Sequence, residues 1–199
     1  MLLIRREIEF VGKNLLSPIS PLNGYSKSFG NNILEEVVDY EIFSLATSGE
    51  KESLIEQNIK KLFKVDLPFV GKSNVSENKK HRVMAVSLDQ WFVLSNSGDL
   101  YSKLISNASF PDNIYVTMQT DAWVILRVSG TSALKALERI CPVNLDPKIF
   151  QKNDMVRTMM EHLGSIVICE EKDSYLLLSA SSSAKSFLHS VEVSLKNVI

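Results

Sequence analysis

The chain of 199 residues has only two cysteines, Cys141 and Cys169. A small secreted domain stapled by disulfides needs more. Both sit among apolar neighbours, as small buried hydrophobes do, so a reducing compartment is the simpler expectation. Neither basic nor acidic residues predominate: 22 Lys and Arg face 23 Asp and Glu. That balance lacks the basic footprint of a nucleic-acid binder. No apolar run approaches the roughly 20 residues that span a bilayer, so no membrane partner is expected. The opening stretch, MLLIRREIEF, interleaves charges with apolar residues and has no small-residue cleavage pattern. It does not read as a signal peptide. These absences together predict a soluble, cytoplasmic protein.

Reactive constellations are missing too. His81, His162 and His189 have no Cys, His or carboxylate at metal-ligand spacing, and Glu161-His162 is a bare dipeptide. Cys141 has no CxxC partner, and Cys169 falls in mid-strand. Ser129-Gly130 and Ser181-Ser182-Ser183 read as turn or cap residues, with no G-x-S-x-G elbow. Neither a G-x-G-x-x-G nor a P-loop is present. The one dense basic run, Lys79-Lys80-His81-Arg82, reads as a solvated loop rather than a phosphate site. Trp91 and Trp123 are core residues by default rather than ligand-stacking ones. Asp121 suits a ligand amine or a pterin ring, but a strand-end hydrogen bond is the simpler role. No catalytic, cofactor-binding or metal residue is therefore assigned. A globular chain of this size without such a site is more often a binding or assembly subunit than a stand-alone enzyme.

What is present is ordinary core material, 45% hydrophobic against 23% charged. Thr120 to Pro147 is the most legible stretch. Val124, Leu126 and Val128 alternate with Ile125 and Arg127, giving one apolar strand face and one mixed face. Ser129-Gly130 breaks the strand, Thr131 or Ser132 caps a helix, and Leu134, Leu137 and Ile140 mark its face. Pro142 prevents its continuation. Residues 1–32 form an irregular arm rich in Ser-Pro, Asn-Gly and Gly-Asn breakers. Residues 33–45 alternate loosely, as one or two strands do. A helix is predicted over 51–63, a polar loop over 71–80 and two short strands within 82–95. A second helix follows over 98–106, and a linker at 110–113. A strand over 114–128 and a helix over 131–140 come next. Strands at 155–160, 165–169 and 175–179 precede a last helix at 182–198.

This order falls into two similar parts, about 33–110 and 111–199, of a single domain. Helix 51–63 with its VDLP exit matches helix 131–140 with VNLDP, and the two strand pairs also correspond. The pattern predicts an α+β fold, a duplicated domain of antiparallel sheets covered by helices.

Several of these segments carry a resemblance. The series TDAW and LRVSGTSALKALERICPVNLDP resembles a block found in the gamma subunit of heterotetrameric sarcosine oxidase: a strand, S-G, a helix ending in Cys, and D-L-x-P. Phe150, Arg157-Thr158 and Leu163-Gly164 resemble its F…RT…LG series. Ser87-Leu88-Asp89-Gln90-Trp91 resembles G-P-D-E-W, and Pro21-Leu22-Asn23-Gly24 resembles P-L-x-G. Tyr175 to Leu188 resembles its closing strand and helix. Ser87, Leu88, Thr131 and Asn144 depart from the pattern, where Gly, Pro, Pro and Asp are usual. The resemblance spans roughly 17–195 and implies a fold related to the folate-binding domain of the glycine-cleavage aminomethyltransferase.

It also implies a complex that demethylates sarcosine oxidatively to glycine and passes the one-carbon unit to tetrahydrofolate. FAD, FMN, NAD and tetrahydrofolate would then belong to the complex, and none to this chain. Its partners would be the alpha subunit, with the beta and delta subunits, and the arm 1–32 would be a docking surface. The alternative reading is a stand-alone folate-binding or aminomethyltransferase-like protein, with Asp121 on the pterin and Trp91 or Trp123 stacking. A third is a homo-oligomeric interaction domain.

Overall fold

The computed structural model describes residues 19–48, 52–98 and 114–199. Among these residues eleven strands form two antiparallel sheets. β1 (Ser26–Phe29), β2 (Asn32–Glu36), β8 (Trp123–Ser129), β9 (Met155–Met160), β10 (Leu163–Glu171) and β11 (Ser174–Ala180) make a six-stranded sheet, in the order β1-β2-β8-β11-β10-β9. The other five are β3 (Glu41–Thr47), β4 (Ser73–Val75), β5 (His81–Ser87), β6 (Gln90–Ser95) and β7 (Ile114–Met118), in the order β4-β5-β6-β3-β7. Helix α1 (Glu52–Phe63) lies against the five-stranded sheet. α2 (Ala133–Ile140) and α3 (Ala184–Lys196) lie against the six-stranded one.

The layering explains why the strands read as nearly continuous apolar runs. Both faces of each central strand are buried. On β5, Val83 and Ala85 meet α1, while Met84 and Val86 face the other sheet. On β10, Val167 and Cys169 face α2 and α3, while Ile166 and Ile168 face the five-stranded sheet. β8 divides as its alternation predicts: Val124, Leu126 and Val128 join the helix-side core, and Ile125 joins the core between the sheets.

α1 contributes Ile55, Ile59 and Phe63, one face at i, i+4 and i+8, each no more than 1% exposed. α3 does the same with Phe187, Val191 and Leu195. Each such side chain contributes about 1.5–3 kcal/mol of transfer free energy. Ser194 Oγ donates to the Ala136 carbonyl at 2.6 Å and ties α3 to α2.

The sheet orders share a plan. β4-β5-β6-β3 in one sheet matches β9-β10-β11-β8 in the other, with α1 following β3 and α2 following β8. Each sheet is then widened from across the sandwich, by the β1–β2 hairpin in the six-stranded sheet and by β7 in the five-stranded one. β2, which precedes β3, pairs with β8, and β7, which precedes β8, pairs with β3.

Four sequence expectations need correction. Residues 26–29, placed in the irregular arm, form β1. Gly30-Asn31 closes a hairpin in which Phe29 faces Asn32, and β2 in turn is held by β8. The strand read over 114–128 is two strands, β7 and β8, in different sheets, separated by a single 3-10 turn at Thr120–Ala122. Residues 71–80 contain β4, three residues recruited by pairing with β5. The start of α2 has no side-chain cap from Thr131 or Ser132. Instead the Ser132 amide donates to Asn32 Oδ1 at 2.8 Å. Residues 1–18 of the arm, the linker at 110–113 and all but the first residue of the helix read over 98–106 lie outside the described residues.

Burial sets an alkaline limit to stability. Tyr175 is 2% exposed in the helix-side core, and burial lifts its phenol from the ordinary 10.0 to about 12. Burial also raises the Cys141 and Cys169 thiols above 9.0 and the Tyr40 phenol above 10.0. Folded-state values above the unfolded ones mean that the folded protein holds its protons longer. The stability is therefore complete below about pH 9 and lost as pH rises toward about 12. Urea midpoints are expected to stay level up to about pH 9 and fall beyond it. A midpoint unchanged at about pH 11 would show that these groups ionise in place.

Candidate functional site

The space between the sheets is apolar in the middle and polar at one margin. Arg127 follows Ile125 on the inward face of β8, Glu170 follows Ile168 on β10, and Arg82 precedes Met84 on β5. The result is a ladder of alternating charge, most buried at Arg82 and Glu170 and more open toward Arg127 and Glu35. Glu35 Oε1 meets Arg127 Nη1 at 3.1 Å, Arg127 Nε meets Glu170 Oε2 at 2.8 Å, and Arg82 Nη2 lies 3.6 Å from Glu170 Oε1. Only the last pair crosses from sheet to sheet. Arg82 Nη1 also donates to Ser73 Oγ at 2.8 Å and to Asn153 Oδ1 at 3.3 Å.

Burial lowers the Arg82 pKa, against the pull of Glu170. Burial acts the same way on Arg127, but its hydrogen bond and charge contact with Glu170 outweigh this and hold it above the ordinary value. Tyr40 stands beside the ladder, its phenol raised by burial and then by the Glu170 charge. A cavity of about 430 Å3 opens here, bounded by Tyr40, Arg82, Glu170, Lys79 and Lys152. The arrangement is a structural clamp, because most of these charges already have a partner: Lys152 Nζ meets Glu171 at 3.1 Å.

Tyr40 also borders a second, larger cleft of about 870 Å3, beside the segment that crosses from β2 to β3. Val37, Val38, Ile42, Trp123 and Ile125 supply apolar walls, and Ile19 lines the same cleft. Asp121 and Glu36 are its charged residues. Glu36 is fully occupied: it accepts from Ser20 Oγ at 2.7 Å, the Leu22 amide at 3.1 Å and the Gly24 amide at 2.8 Å. Trp123 packs edge-on against Phe92, with ring centroids 5.5 Å apart. Its buried Nε1 has no hydrogen-bond partner.

The residues singled out in the sequence scatter. Asp121 and Trp123 share the cleft. Trp91 does not; it is 2% exposed in the core beneath α1, with Ile55, Ile59 and Phe63. The strand-end role expected of Asp121 falls to its backbone, whose carbonyl accepts from Ser181 Oγ at 2.7 Å. His81 is buried, 2.8 Å from Ser95 Oγ, and its ring is tilted against that of Phe63 with centroids 5.3 Å apart. His162 lies in the turn between β9 and β10 with φ +69°, and His189 is an exposed residue of α3. Both cysteines are buried and unpaired. Among the described residues no group of three His, Cys, Asp or Glu side chains converges as a metal site, and no helix is long and apolar enough to cross a membrane.

The basic run does not lie wholly in a solvated loop. Lys79 and Lys80 are exposed, but His81 and Arg82 begin β5 and turn inward. Sequence reading missed the ladder, although its signal was present: a single arginine on the inward face of an apolar strand.

No family model and no curated protein matches the sequence. Solved structures do match the fold. One chain of the heterotetrameric sarcosine oxidase from Corynebacterium sp. U-96, in complex with pyrrole 2-carboxylate, superposes with a TM-score of 0.74 at 18% identity. The match covers 87% of this chain and 88% of that one. The glycine cleavage system aminomethyltransferase T from Bartonella henselae superposes with a TM-score of 0.63 at 10% identity. It covers 87% of this chain, which spans only 56% of the enzyme's length. The fold is therefore the α+β sandwich that these two proteins share, as expected from the sequence.

Proposed function

We propose that this chain is the non-catalytic gamma subunit of a heterotetrameric sarcosine oxidase. In that role it would support oxidative demethylation of sarcosine to glycine, with one-carbon transfer to tetrahydrofolate. The observation that carries this reading is coextension. The fold match runs over 87% of this chain and 88% of a sarcosine oxidase chain, so the two are units of the same size, whereas the aminomethyltransferase is much longer. The ladder agrees with a supporting role, because Arg82, Arg127 and Glu170 are committed to one another. FAD, FMN, NAD and tetrahydrofolate would be held by the partner subunits. Co-expression with sarcosine oxidase alpha, beta and delta subunits tests the reading. The chain is expected to co-purify in fixed stoichiometry, and its recovery as a separate species would sink the proposal.

A second reading has one observation in its favour: Asp121 and Trp123, separated from Trp91, line the same cleft. A folate-binding protein would use that cleft, with Asp121 on the pterin. Calorimetry with tetrahydrofolate decides: saturable heat supports this reading, and no heat at millimolar ligand removes it.

A further inference from the structure

The larger cleft holds two polar groups that the fold leaves unused. Among the described residues the Asp121 carboxylate makes no ion pair, and it is exposed. Trp123 Nε1 is buried with no acceptor, an omission that costs about 1–3 kcal/mol unless something relieves it. Around them lie apolar walls from Val37, Ile42 and Ile125, with Val38 60% exposed and Ile19 76% exposed.

No lysine or arginine lines the cleft among the described residues, and both charged residues that do are acidic. Glu36 already accepts three hydrogen bonds from the 20–24 loop, so the carboxylate open to a partner is that of Asp121. A complementary surface brings an aliphatic side chain for the walls and a Lys or Arg for Asp121. Trp123 Nε1 is buried, so a carbonyl of that surface reaches it only if the ring moves.

We propose that the cleft between β2, β3 and β8 seats a segment of a partner chain in which a basic residue adjoins an aliphatic one, with Asp121 and Trp123 as its polar anchors. This rests on the subunit reading above. It places the docking surface where a free charge and an unsatisfied donor coincide with exposed apolar walls. Phe69 at 83% and Leu88 at 87% are exposed apolar residues outside the cleft and are the natural controls.

The test uses the co-expressed complex. A photo-crosslinking amino acid replaces Val38 in one preparation and Phe69 in another. Asp121→Lys and Leu88→Asp are made separately, and thermal midpoints confirm that each variant folds. Cross-links from position 38 to another subunit are expected, with none from position 69. Asp121→Lys is expected to weaken assembly at least about tenfold, as loss of a paired charge at an interface does, while Leu88→Asp leaves it unchanged. The inference is overturned if the complex forms with unaltered affinity in Asp121→Lys. It is equally overturned if position 38 cross-links only to this chain's own residues 1–18 or to a second copy. Failure of the unaltered chain to assemble at all is a different outcome, and removes the subunit reading together with this one.

Discussion

Replacing Gly130 by alanine is expected to destabilise the protein by about 3 kcal/mol or more, among the largest effects available to a single methyl group. Gly130 follows β8 and has φ +118°, a backbone conformation that L side chains rarely adopt. A Cβ here would lie 2.4 Å from the Asn31 carbonyl oxygen, 2.6 Å from Asn32 Oδ1 and 2.7 Å from Asn32 Cα. Two of these atoms are backbone and cannot rotate away. The third accepts the Ser132 amide at the start of α2, and Asn32, 1% exposed, is also fixed by its own donation to the Phe29 carbonyl at 3.0 Å. One methyl group therefore strains the turn, displaces the β1–β2 hairpin and uncaps α2. Urea unfolding measures the loss. Gly30→Ala is the control: it too has positive φ, +56°, but nothing lies within 4 Å of its added Cβ. Its cost should stay near 1 kcal/mol. Equal costs at the two sites would show that close packing at Gly130 contributes nothing.

The second large effect is expected at Glu170. Its side chain is 14% exposed and is held between the Arg82 and Arg127 side chains, 9% and 29% exposed. Glu170→Ala removes the counter-ion of the buried Arg82 and leaves it beside Arg127, which keeps only Glu35. Breaking a buried pair from one side costs about 3–5 kcal/mol. Glu35→Ala removes the outer rung, 37% exposed, and should cost no more than about 1 kcal/mol. The double replacement Arg82→Met with Glu170→Leu should recover much of the loss, because it removes charge and counter-charge together and Arg127 keeps Glu35. A Glu170→Ala cost below about 1 kcal/mol would mean that water in the adjoining cavity of about 430 Å3 solvates both arginines.

What the sequence made legible follows from period. The α1 and α3 faces and the inward and outward alternation of β8 were readable because burial repeats at fixed spacing along one element. β1 and β4 were not, because neither SKSF nor SNV has an apolar pattern of its own. Both exist through a neighbour's hydrogen bonds. The break between β7 and β8 was hidden for a related reason. Ile114 to Val128 is extended almost throughout, and only the single turn at Thr120–Ala122 sends it from one sheet to the other. Ser-Gly at 129–130 was visible as a turn, but the need for glycine comes from Asn31 and Asn32, about 100 residues earlier. The cleft shared by Asp121 and Trp123 is likewise tertiary. No spacing in the sequence brings Val37, Ile42 and Ser181 to them.

The exchange of strands across the sandwich has a kinetic consequence. Glu35 on β2 meets Arg127 on β8 across 92 positions, and Ile42 on β3 meets Thr120 across 78. Neither sheet can reach its full width until the chain has closed a loop of that size, and closing one loop brings the ends of the other nearer. Such non-local pairing slows folding, because loop entropy is lost before contact energy is gained. A ribosome that has released only the segment up to β6 has therefore exposed a four-stranded sheet with an open edge at β3, waiting for β7. The interval between synthesis of β3 and of β8 is when this chain is most open to wrong partners.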